Sequence, residues 1–358
     1  MIYLDYQATT PIAPEVRAAM LPYLDQAFGN PHSVHRMGRE AKAAVELARD
    51  RIAARFEPGG KLVFTSGATE ALNLALKGCR PRRIVTIATE HAAVLDTARW
   101  LAGARAELVE LPVDRDGLVD LDRAAAAISD GTSIVAAMLV NNEIGVIQPL
   151  PELIALARAK GALFLCDAVQ GYGRVPLPEG CDMIAISAHK IHGPKGIGAL
   201  WLRDGITLEP QMHGGGQEQG LRSGTLAPAL CAGFGVASQL DVAADPALWQ
   251  RARDRLGAGW IVNGSVDRRY FGNLNIRLPG LDSSRLLSEL RQIALSSGSA
   301  CASGSGRPSH VLSALGLSTR EARSSLRIGF GHYTSEQEID RAMDLIRETA
   351  ALQGSAAA

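Results

Sequence analysis

An acid and a lysine stand at the ends of two predicted strands near the middle of this 358-residue chain. Asp167 follows the apolar run 164–166, and Lys190 follows a second apolar run and the polar residues Ser187 and His189. Ligands of open α/β sheets collect at the carboxyl ends of the strands. Pyridoxal phosphate requires such a pair, because a lysine forms its Schiff base and a carboxylate keeps its pyridine nitrogen protonated. The pair therefore indicates a pyridoxal phosphate site, with a strand-end acid and a solvated lysine as the ordinary alternative.

A second segment offers a place for the phosphate of such a cofactor. Residues 64–70 join a predicted strand to a helix, and this segment contains Ala68 and Thr69. Small residues and hydroxyls at a helix N-terminus make an anion cradle from backbone N–H groups and the helix dipole. A plain Ser/Thr helix cap is the alternative. Ser187 and His189 flank the lysine and could bind the same phosphate.

Three more residues have side chains suited to a ring or a substrate. His91 follows the second sheet strand and could stack on the ring and shuttle protons, although a strand-end histidine need not be catalytic. Asn142 follows the fourth strand and could hold a ring oxygen or a substrate carboxylate, or could serve a turn. Arg327 lies in the strand S-L-R-I-G-F and could hold a carboxylate bidentately.

Two loops rich in small residues also need an explanation. Residues 212–225 are glycine-dense but lack the strand–GxGxxG–helix context of a nucleotide fingerprint. This loop predicts close backbone approach to a ligand or to another subunit. Cys301 lies among Gly, Ser and Ala residues, which are poor core formers. Its thiol therefore has the access that a nucleophile needs, with a random exposed cysteine as the alternative.

The composition excludes several classes of protein. Lys+Arg and Asp+Glu both number 37, and the pI is near 7.1, so nothing predicts a nucleic-acid partner. No apolar run approaches the ~20 residues of a membrane-spanning helix, and the first residues do not resemble a signal peptide. We therefore expect a cytoplasmic protein without a membrane partner. The five scattered cysteines contain no C-x-x-C pair, which argues against a disulfide framework and against a metal site.

The order of elements predicts the fold class. Apolar runs alternate with helical patterns from residue 61 to about 203, which indicates an α/β architecture with a mostly parallel, seven-stranded sheet covered by helices. After residue 225 the elements become shorter and mixed, which indicates a smaller α+β domain. We expect a large cofactor-binding domain over 13–244 and a small domain over 245–358 together with 1–12. Ser335 and Glu338 predict a capping box at the last helix.

Several motifs together make the chain similar to the cysteine desulfurases, in the class V aminotransferase group of fold-type I pyridoxal phosphate enzymes. The resemblance runs from Y-L-D-Y-Q-A-T-T-P at 3–11 to the final helix. The segments that carry it are N-P-H-S-V-H at 30–35, S-G-A-T-E at 66–70, T-E-H at 89–91, V-N-N-E-I-G at 140–145, D-A-V-Q at 167–170, S-A-H-K-I-H-G-P-K-G-I-G at 187–198 and R-S-G-T at 222–225. S-S-G-S-A-C at 296–301 and the following S-H-V-L-S-A-L-G resemble the long-loop group, which supplies sulfur for iron–sulfur cluster assembly.

The resemblance implies a role for each candidate residue. Lys190 would bind the cofactor covalently, and Cys301 would take sulfur from L-cysteine as a persulfide, leaving L-alanine. The remaining roles that the resemblance implies are pairing with the pyridine nitrogen (Asp167), contact with the ring hydroxyl (Gln170), stacking on the ring (His91), binding of the phosphate (Ala68, Thr69, Ser187, His189), binding of the other subunit's phosphate (Thr225) and binding of the substrate carboxylate (Asn142, Arg327).

The resemblance also implies a partner, a scaffold or another sulfur-acceptor protein. The glycine-dense loop that ends in Thr225 has no evident packing role within one chain, and it predicts a homodimer with shared active sites. The loop 299–306 is predicted to be mobile, because Cys301 must meet the substrate inside the cleft and an acceptor outside it, and the Gly, Ser and Ala residues around it offer little apolar area to hold the loop in place. The segment 241–272 and the tail after the last helix look short for the long-loop group, which makes scaffold docking harder to predict than chemistry. Other readings are a selenocysteine lyase, an aminotransferase, which would leave Cys301 without a task, and a sulfur carrier that has lost turnover.

Overall fold

The computed structural model describes residues 1–297 and 308–355. Its strands are β1 (Ile2–Tyr3), β2 (Gly60–Thr65), β3 (Arg83–Ile87), β4 (Glu107–Leu111), β5 (Ile134–Met138), β6 (Leu163–Asp167), β7 (Met183–Ser187), β8 (Gly198–Arg203), β9 (Ile261–Val262), β10 (Asn273–Arg277), β11 (Ile293–Ala294) and β12 (Ser325–Gly329). Its α-helices are α1 (Pro14–Leu24), α2 (Arg36–Ala53), α3 (Ala68–Gly78), α4 (Ala92–Ala104), α5 (Leu121–Ala127), α6 (Leu150–Ala159), α7 (Pro228–Ala237), α8 (Pro246–Leu256), α9 (Ser283–Glu289), α10 (His310–Ala314), α11 (Thr319–Arg323) and α12 (Glu336–Ser355).

The central sheet has seven strands in the order β2-β8-β7-β6-β5-β3-β4. Neighbours from β7 to β4 run parallel, whereas β8 is antiparallel to both β7 and β2. The predicted α/β architecture with a mostly parallel, seven-stranded sheet is thereby confirmed. The register pairs Met138 of β5 with Asp167 of β6, so the carboxyl ends of these strands meet at one edge.

Helices cover both faces of this sheet, as the alternation of side chains along β5 shows. Ile134 and Ala136 belong to one apolar cluster with α3 and α4, while Val135 and Ala137 belong to another with α2, α6 and α7. Successive side chains of a strand point to opposite faces, and all five residues of β5 are buried. Burial on both faces explains why the strands read as continuous apolar runs in the sequence.

A separate core is built from the second half of the chain and the N-terminal segment. It surrounds the antiparallel sheet β12-β10-β9, and it includes Leu4 together with apolar residues of α8, α9 and α12. Two ion pairs, Arg251–Asp340 and Arg255–Asp344, join α8 to α12 across its surface. The domain limits 13–244 and 245–358 with 1–12 stay a prediction, which this core supports.

The structure adds elements that the sequence patterns did not predict and trims others. Helix α8 begins at Pro246 with Asp245 as its N-cap, a start signal that the pattern of residues 241–272 did not bring out. The amphipathic pattern of the sequence predicts a helix over about 14–27, and the structure ends this helix, α1, at Leu24. The capping box at the last helix is confirmed, because the Ser335 N–H donates to Glu338 Oε2 at 2.9 Å and the Glu338 N–H donates to Ser335 Oγ at 3.2 Å. Within residues 1–297 and 308–355, no helix is both long enough and apolar enough to cross a membrane.

Candidate active site

A cavity of about 620 Å³ opens at the carboxyl ends of β5, β6 and β7. It brings together residues that are far apart in the sequence and that carry the predicted chemistry. The predicted site residues that line it are Ala68, Thr69, His91, Asn142, Asp167, Gln170, Ser187, His189, Lys190 and Arg327. Thr225 does not line it and is exposed. Cys301, and the loop 299–306 for which motion is predicted, lie outside the described residues.

Lys190 ends the short 3₁₀ helix that follows β7, and its amine is turned toward the N-terminal segment. Its Nζ donates hydrogen bonds to the backbone carbonyls of Gln7 and Ala8, the latter at 2.8 Å. The pKa of this amine is lowered to about 7, mainly by burial. The positive charges of Arg174 and Arg327 also lower it, and the negative charges of Asp5 and Asp167 oppose this with a smaller effect. Lys190 is therefore a poorly solvated amine that can lose its proton near neutral pH.

Asp167 is the last residue of β6, and its carboxylate lies against the cavity. The Val169 N–H donates to its Oδ1 at 3.0 Å. Burial raises the pKa of Asp167, and the hydrogen bond from Val169 and the charges of His91 and Lys190 oppose that rise. A cation placed on this carboxylate would favour its ionised form, because opposite charges stabilise each other most where water is excluded.

His91 is the N-cap of α4, and this position fixes its tautomer. Its Nδ1 accepts a hydrogen bond from the Ala93 N–H at 3.1 Å, so the neutral ring carries its proton on Nε2. Burial lowers the pKa of His91, and Lys190 contributes to the same direction. The imidazole is therefore a neutral ring with a defined orientation against the cavity.

One end of the cavity suits an anion. It is formed by the N-terminus of α3 with Ala68 and Thr69, by the buried Ser187, and by Lys195. His189 lies beside them, and its Nδ1 and Thr9 Oγ1 are 3.1 Å apart. Burial lowers the pKa of His189 to about 4, so it binds as a neutral hydrogen-bonding group rather than as a cation. Positive charge at this end comes from the helix dipole and from Lys195.

The wall of the cavity also contains a buried arginine. Arg327 of β12 is only 2% exposed, and its Nη2 donates to Asp5 Oδ1 at 2.8 Å while its Nη1 donates to the Asn142 carbonyl at 3.1 Å. Its Nε is buried without a hydrogen-bond partner among the described residues. Because a guanidinium binds a carboxylate through parallel N–H groups, Arg327 retains capacity for an acidic ligand.

Gln170 differs from its expected role in one respect. Its Nε2 donates to the Gln7 carbonyl at 2.9 Å, and its Oε1 accepts from Arg174 Nη1 at 2.6 Å. Both ends of the amide are therefore engaged within the protein. The predicted contact with a ring hydroxyl stays a prediction, and it requires one of these bonds to be shared or exchanged.

Some residues that shape the cavity were not among the predicted site residues. Asp5 holds Arg327, Gln7 receives the amine of Lys190, and Lys195 lines the anion end. All three lie within segments that carry the family resemblance. The motifs could therefore have identified these residues, whereas the residue types alone could not.

Two glutamate carboxyl groups near the cavity are deeply buried. Glu90 Oε1 accepts a hydrogen bond from the Met138 N–H at 2.7 Å, and Glu143 Oε2 accepts one from Ser309 Oγ. Burial raises the pKa of both.

Three of the four cysteines in the described part of the chain are poor nucleophiles. Cys166, Cys181 and Cys231 are buried and Cys79 is half-buried. Burial raises the pKa of Cys79 and of Cys231 to about 12, and it raises that of Cys166 as well. Because the reactive species is the thiolate, none of these three thiols suits attack on a substrate at neutral pH. In the same part of the chain, no group of three or more His, Cys, Asp and Glu residues could hold a metal ion.

The donor set of the cavity fits pyridoxal phosphate. A buried amine, a carboxylate for the pyridine nitrogen, a neutral imidazole and an anion-binding helix N-terminus line one cavity, in residues Lys190, Asp167, His91 and Thr69. The buried Arg327 Nε is a donor that an amino acid carboxylate could use. The cavity volume also falls within the usual range for small-molecule and cofactor sites.

Comparison with known proteins agrees with this geometry. Residues 2–342 match the family model described as aminotransferase class-V. The chain is 43% identical to the cysteine desulfurase IscS of Rickettsia akari, over 96% of this chain and 90% of that protein. Among solved structures, it resembles a NifS-like protein with a TM-score of 0.89 and 31% identity, over 98% of this chain and 99% of the other. It also resembles a structure described as SspA in complex with cysteine, with a TM-score of 0.84 and 33% identity, over 94% and 100% of the two chains.

The match to the family model and the similarity to curated relatives both extend over nearly the whole chain, and the fold and the donor set of the cavity agree with them. The protein is accordingly dependent on pyridoxal phosphate. The chain belongs to the class V aminotransferase family and, within it, to the cysteine desulfurases.

Proposed function

We propose that this cysteine desulfurase takes sulfur from L-cysteine onto Cys301 and releases L-alanine. The observation that carries the proposal is the cavity that joins Lys190, Asp167 and His91 to the buried Arg327. An amino acid could place its carboxylate on Arg327 and its amino group toward Lys190. The resemblance to a structure described as a complex with cysteine supports this substrate.

In this proposal each residue acts on a defined atom. When bound, pyridoxal phosphate supplies an electron sink conjugated to the α-carbon of the substrate. Lys190 Nζ, whose pKa is about 7, accepts the α-proton and returns it during the reaction. Asp167 keeps the pyridine nitrogen protonated, and Arg327 and Asn142 hold the substrate carboxylate. His91 packs on the ring and keeps water from that face.

The sulfur transfer itself assigns a nucleophile to Cys301. Its thiolate attacks the sulfur of the substrate, and a sulfur–sulfur bond forms as the carbon–sulfur bond breaks. The bonding electron pair stays with the substrate, whose β-carbon takes up a proton and becomes the methyl group of L-alanine. The burial and the raised pKa values of Cys79, Cys166 and Cys231 support the choice of Cys301.

We propose further that the enzyme is a homodimer in which Thr225 binds the phosphate in the partner subunit's site. Thr225 is exposed and does not line the cavity of its own chain. Exposed apolar side chains on and beside α1 offer a surface for such a partner, because a monomer would gain by covering them. These side chains are Ile12 (44% exposed), Leu21 (54%), Leu24 (65%), Phe28 (71%) and Val34 (89%).

We place the enzyme in the cytoplasm and assign its persulfide sulfur to iron–sulfur cluster assembly, through a scaffold or another acceptor protein. The support is the similarity to the IscS relatives over nearly the full chain. The acceptor would meet Cys301 after the transfer step. A sulfur-transfer assay from the persulfide form of the enzyme to purified scaffold proteins tests this assignment, and absence of sulfur transfer to any of them would contradict it.

The main test measures L-alanine, sulfide and protein persulfide formed from L-cysteine. The wild-type enzyme should release equal amounts of alanine and, with an added thiol, sulfide. Cys301→Ser should keep the bound cofactor and yield almost no persulfide, because a hydroxyl is a poor acceptor for sulfur. Cys79→Ser is the matched control and should retain activity. A persulfide found by mass spectrometry on another cysteine, or a preference for selenocysteine with Cys301→Ser fully active, would contradict the proposal.

Mixed dimers test the shared site. Lys190→Ala and Thr225→Val place both lesions in one site of a mixed dimer and leave the other site intact, if Thr225 serves its partner. Combining the two impaired proteins by unfolding and refolding should restore activity to about a quarter of the wild-type value. An active monomer in sedimentation, or no restoration in mixed dimers, would contradict the shared site.

A further inference from the structure

The glycine loop, defined here as residues 212–225, is tied to the segment that forms the anion end of the cavity. We call residues 66–69 the phosphate cradle. Two ion pairs hold the loop in this region: Glu218 pairs with Arg49 of α2, and Arg222 pairs with Glu70, which directly follows the cradle. Neither pair contains a residue predicted to touch the cofactor. Their position between the loop that carries Thr225 and the phosphate cradle therefore needs its own explanation.

The first connection is made by Glu218. Its Oε1 accepts from Arg49 Nη2 at 2.8 Å, and its Oε2 accepts from Arg49 Nη1 at 2.9 Å and from the Phe64 N–H at 2.6 Å. The Glu218 side chain is only 2% exposed, and Phe64 belongs to β2, two residues before the cradle. Burial opposes ionisation of Arg49, but the hydrogen bonds and charges of Glu218 and Glu46 together outweigh it and raise the pKa of Arg49. A buried and fully bonded carboxylate of this kind fixes the loop backbone against β2.

The second connection is made by Arg222. Its Nε donates to Glu70 Oε1 at 2.8 Å and its Nη2 donates to Glu70 Oε2 at 3.3 Å. Glu70 Oε2 also accepts from the N–H of Ser66, the first cradle residue, at 2.6 Å. Burial opposes ionisation of Glu70, but the bonds from Arg222 and Ser66 outweigh it and lower its pKa. The Glu70 carboxylate thus joins Ser66 of the cradle to Arg222 of the glycine loop. Arg222 lies three residues before Thr225.

The backbone of the loop shows that these contacts determine its shape. Glu218 and Gln219 both have left-handed backbone angles, with φ of 48° and 56°. Non-glycine residues adopt this region at a cost and keep it where surrounding contacts over-determine it. A further hydrogen bond closes the loop: the Gly224 N–H donates to Gln217 Oε1 at 2.8 Å, and Gly224 directly precedes Thr225. The direction in which Thr225 points is therefore set by the anchoring of Glu218 and Arg222.

We propose that Glu218 and Arg222 are positioning residues that fix the glycine loop so that Thr225 can bind the phosphate in the partner subunit's site. This inference rests on the homodimer of the proposed function. It predicts that loss of either anchor weakens recognition of the phosphate in the opposite site, while the ring-binding residues of both sites stay in place.

The experiment compares pyridoxal phosphate with pyridoxal, which has the same ring without the phosphate, in binding to the apoenzyme. Glu218→Gln and Arg222→Lys should each weaken binding of pyridoxal phosphate about 10-fold or more, the effect of losing a charge-assisted hydrogen bond. Binding of pyridoxal should stay unchanged. Asp340→Asn, which removes the exposed pair with Arg251, is the matched control and should alter neither. Arg222→Lys keeps the inference testable if Glu218→Gln does not fold.

Mixed dimers then show in which site the loss occurs. In the trans arrangement, a subunit with both Lys190→Ala and Glu218→Gln pairs with a wild-type subunit, whose site should show the weaker binding. In the cis arrangement, Glu218→Gln alone pairs with a Lys190→Ala subunit, and the remaining site should bind as in the wild type. A loss that follows the cis arrangement, or equal losses for pyridoxal and pyridoxal phosphate, would overturn the inference. A wild-type monomer in sedimentation would instead overturn the dimer on which it rests.

Discussion

The rate at which the apoenzyme captures pyridoxal phosphate should titrate near pH 7. Schiff-base formation needs the neutral amine of Lys190, because the protonated amine has no lone pair for the aldehyde carbon. Burial lowers the pKa of this amine from 10.5 to about 7, with a further contribution from Arg174. The perturbation is therefore twofold: a change of pH, and the substitution Arg174→Gln, which removes one of the charges that keep the amine neutral.

The size of the effect follows from the fraction of neutral amine. With a pKa of about 7, about half of the Lys190 amines are neutral at pH 7, whereas a lysine at 10.5 would have about 1 in 3,000 neutral. Burial and the nearby charges together thus increase the reactive fraction about 1,500-fold at this pH. Because the folded-state pKa is lowered, the rate should rise with pH through 7 and level off about one unit above it. Arg174→Gln should move the midpoint to higher pH.

Stopped-flow measurement of Schiff-base absorbance after mixing apoenzyme and cofactor gives this rate. Pyridoxal is the control, because it lacks the phosphate, whose own second ionisation lies near pH 6. The same midpoint with both aldehydes would assign the titration to the enzyme. A rate that keeps rising to pH 10, or a midpoint that Arg174→Gln leaves unchanged or lowers, would refute the reasoning from burial and charge.

Three further outcomes are expected. Lys190→Ala should fold with an unchanged far-ultraviolet spectrum and show no covalent cofactor and no turnover of L-cysteine, whereas the exposed control Lys160→Ala should be normal in both assays. Arg327→Lys should lower kcat/KM for L-cysteine about 10- to 100-fold in steady-state assays, because an ammonium cannot replace the bidentate guanidinium. Gly329→Ala should lower the free energy of unfolding in urea by about 1–3 kcal/mol, because its Cβ would stand 1.7 Å from Gln7 Oε1. Gly103→Ala, in a helix with nothing within 4 Å, should not be destabilised.

The central sheet could be predicted from the sequence because its strands are buried on both faces. Apolar runs of this kind have no polar alternation and are bounded by turn residues. The runs 133–140 and 183–187 predict β5 and β7, and the observed strands agree with these limits to within two residues. The small domain was harder to predict. Short runs at 260–263 and 325–330 predict β9 and β12, which the structure confirms. The two-residue strand β11 was missed, because such a short element depends on tertiary pairing more than on local pattern.

The residues of the site also differ in how well the sequence predicts them. Asp167 and Lys190 could be predicted because each stands at the end of a buried strand, where a charged side chain is conspicuous. Asp5 could not, because its partner Arg327 lies 322 positions away and only folding brings them together. The engagement of Gln170 at both ends also depends on contacts that no local pattern encodes.

The cavity draws on residues that are synthesised at very different times. Gln7 and Asp5 emerge from the ribosome before the other residues that surround the cavity, whereas Arg327, which pairs with Asp5, belongs to the last strand of the second core. At about 5–20 residues per second, the interval between Asp5 and Arg327 lasts about 15–65 s. A nascent chain that already displays Lys190 and Asp167 therefore lacks the arginine of the site. Cellular pyridoxal phosphate then stabilises completed chains by mass action, and a chain stalled before β12 does not receive the full benefit.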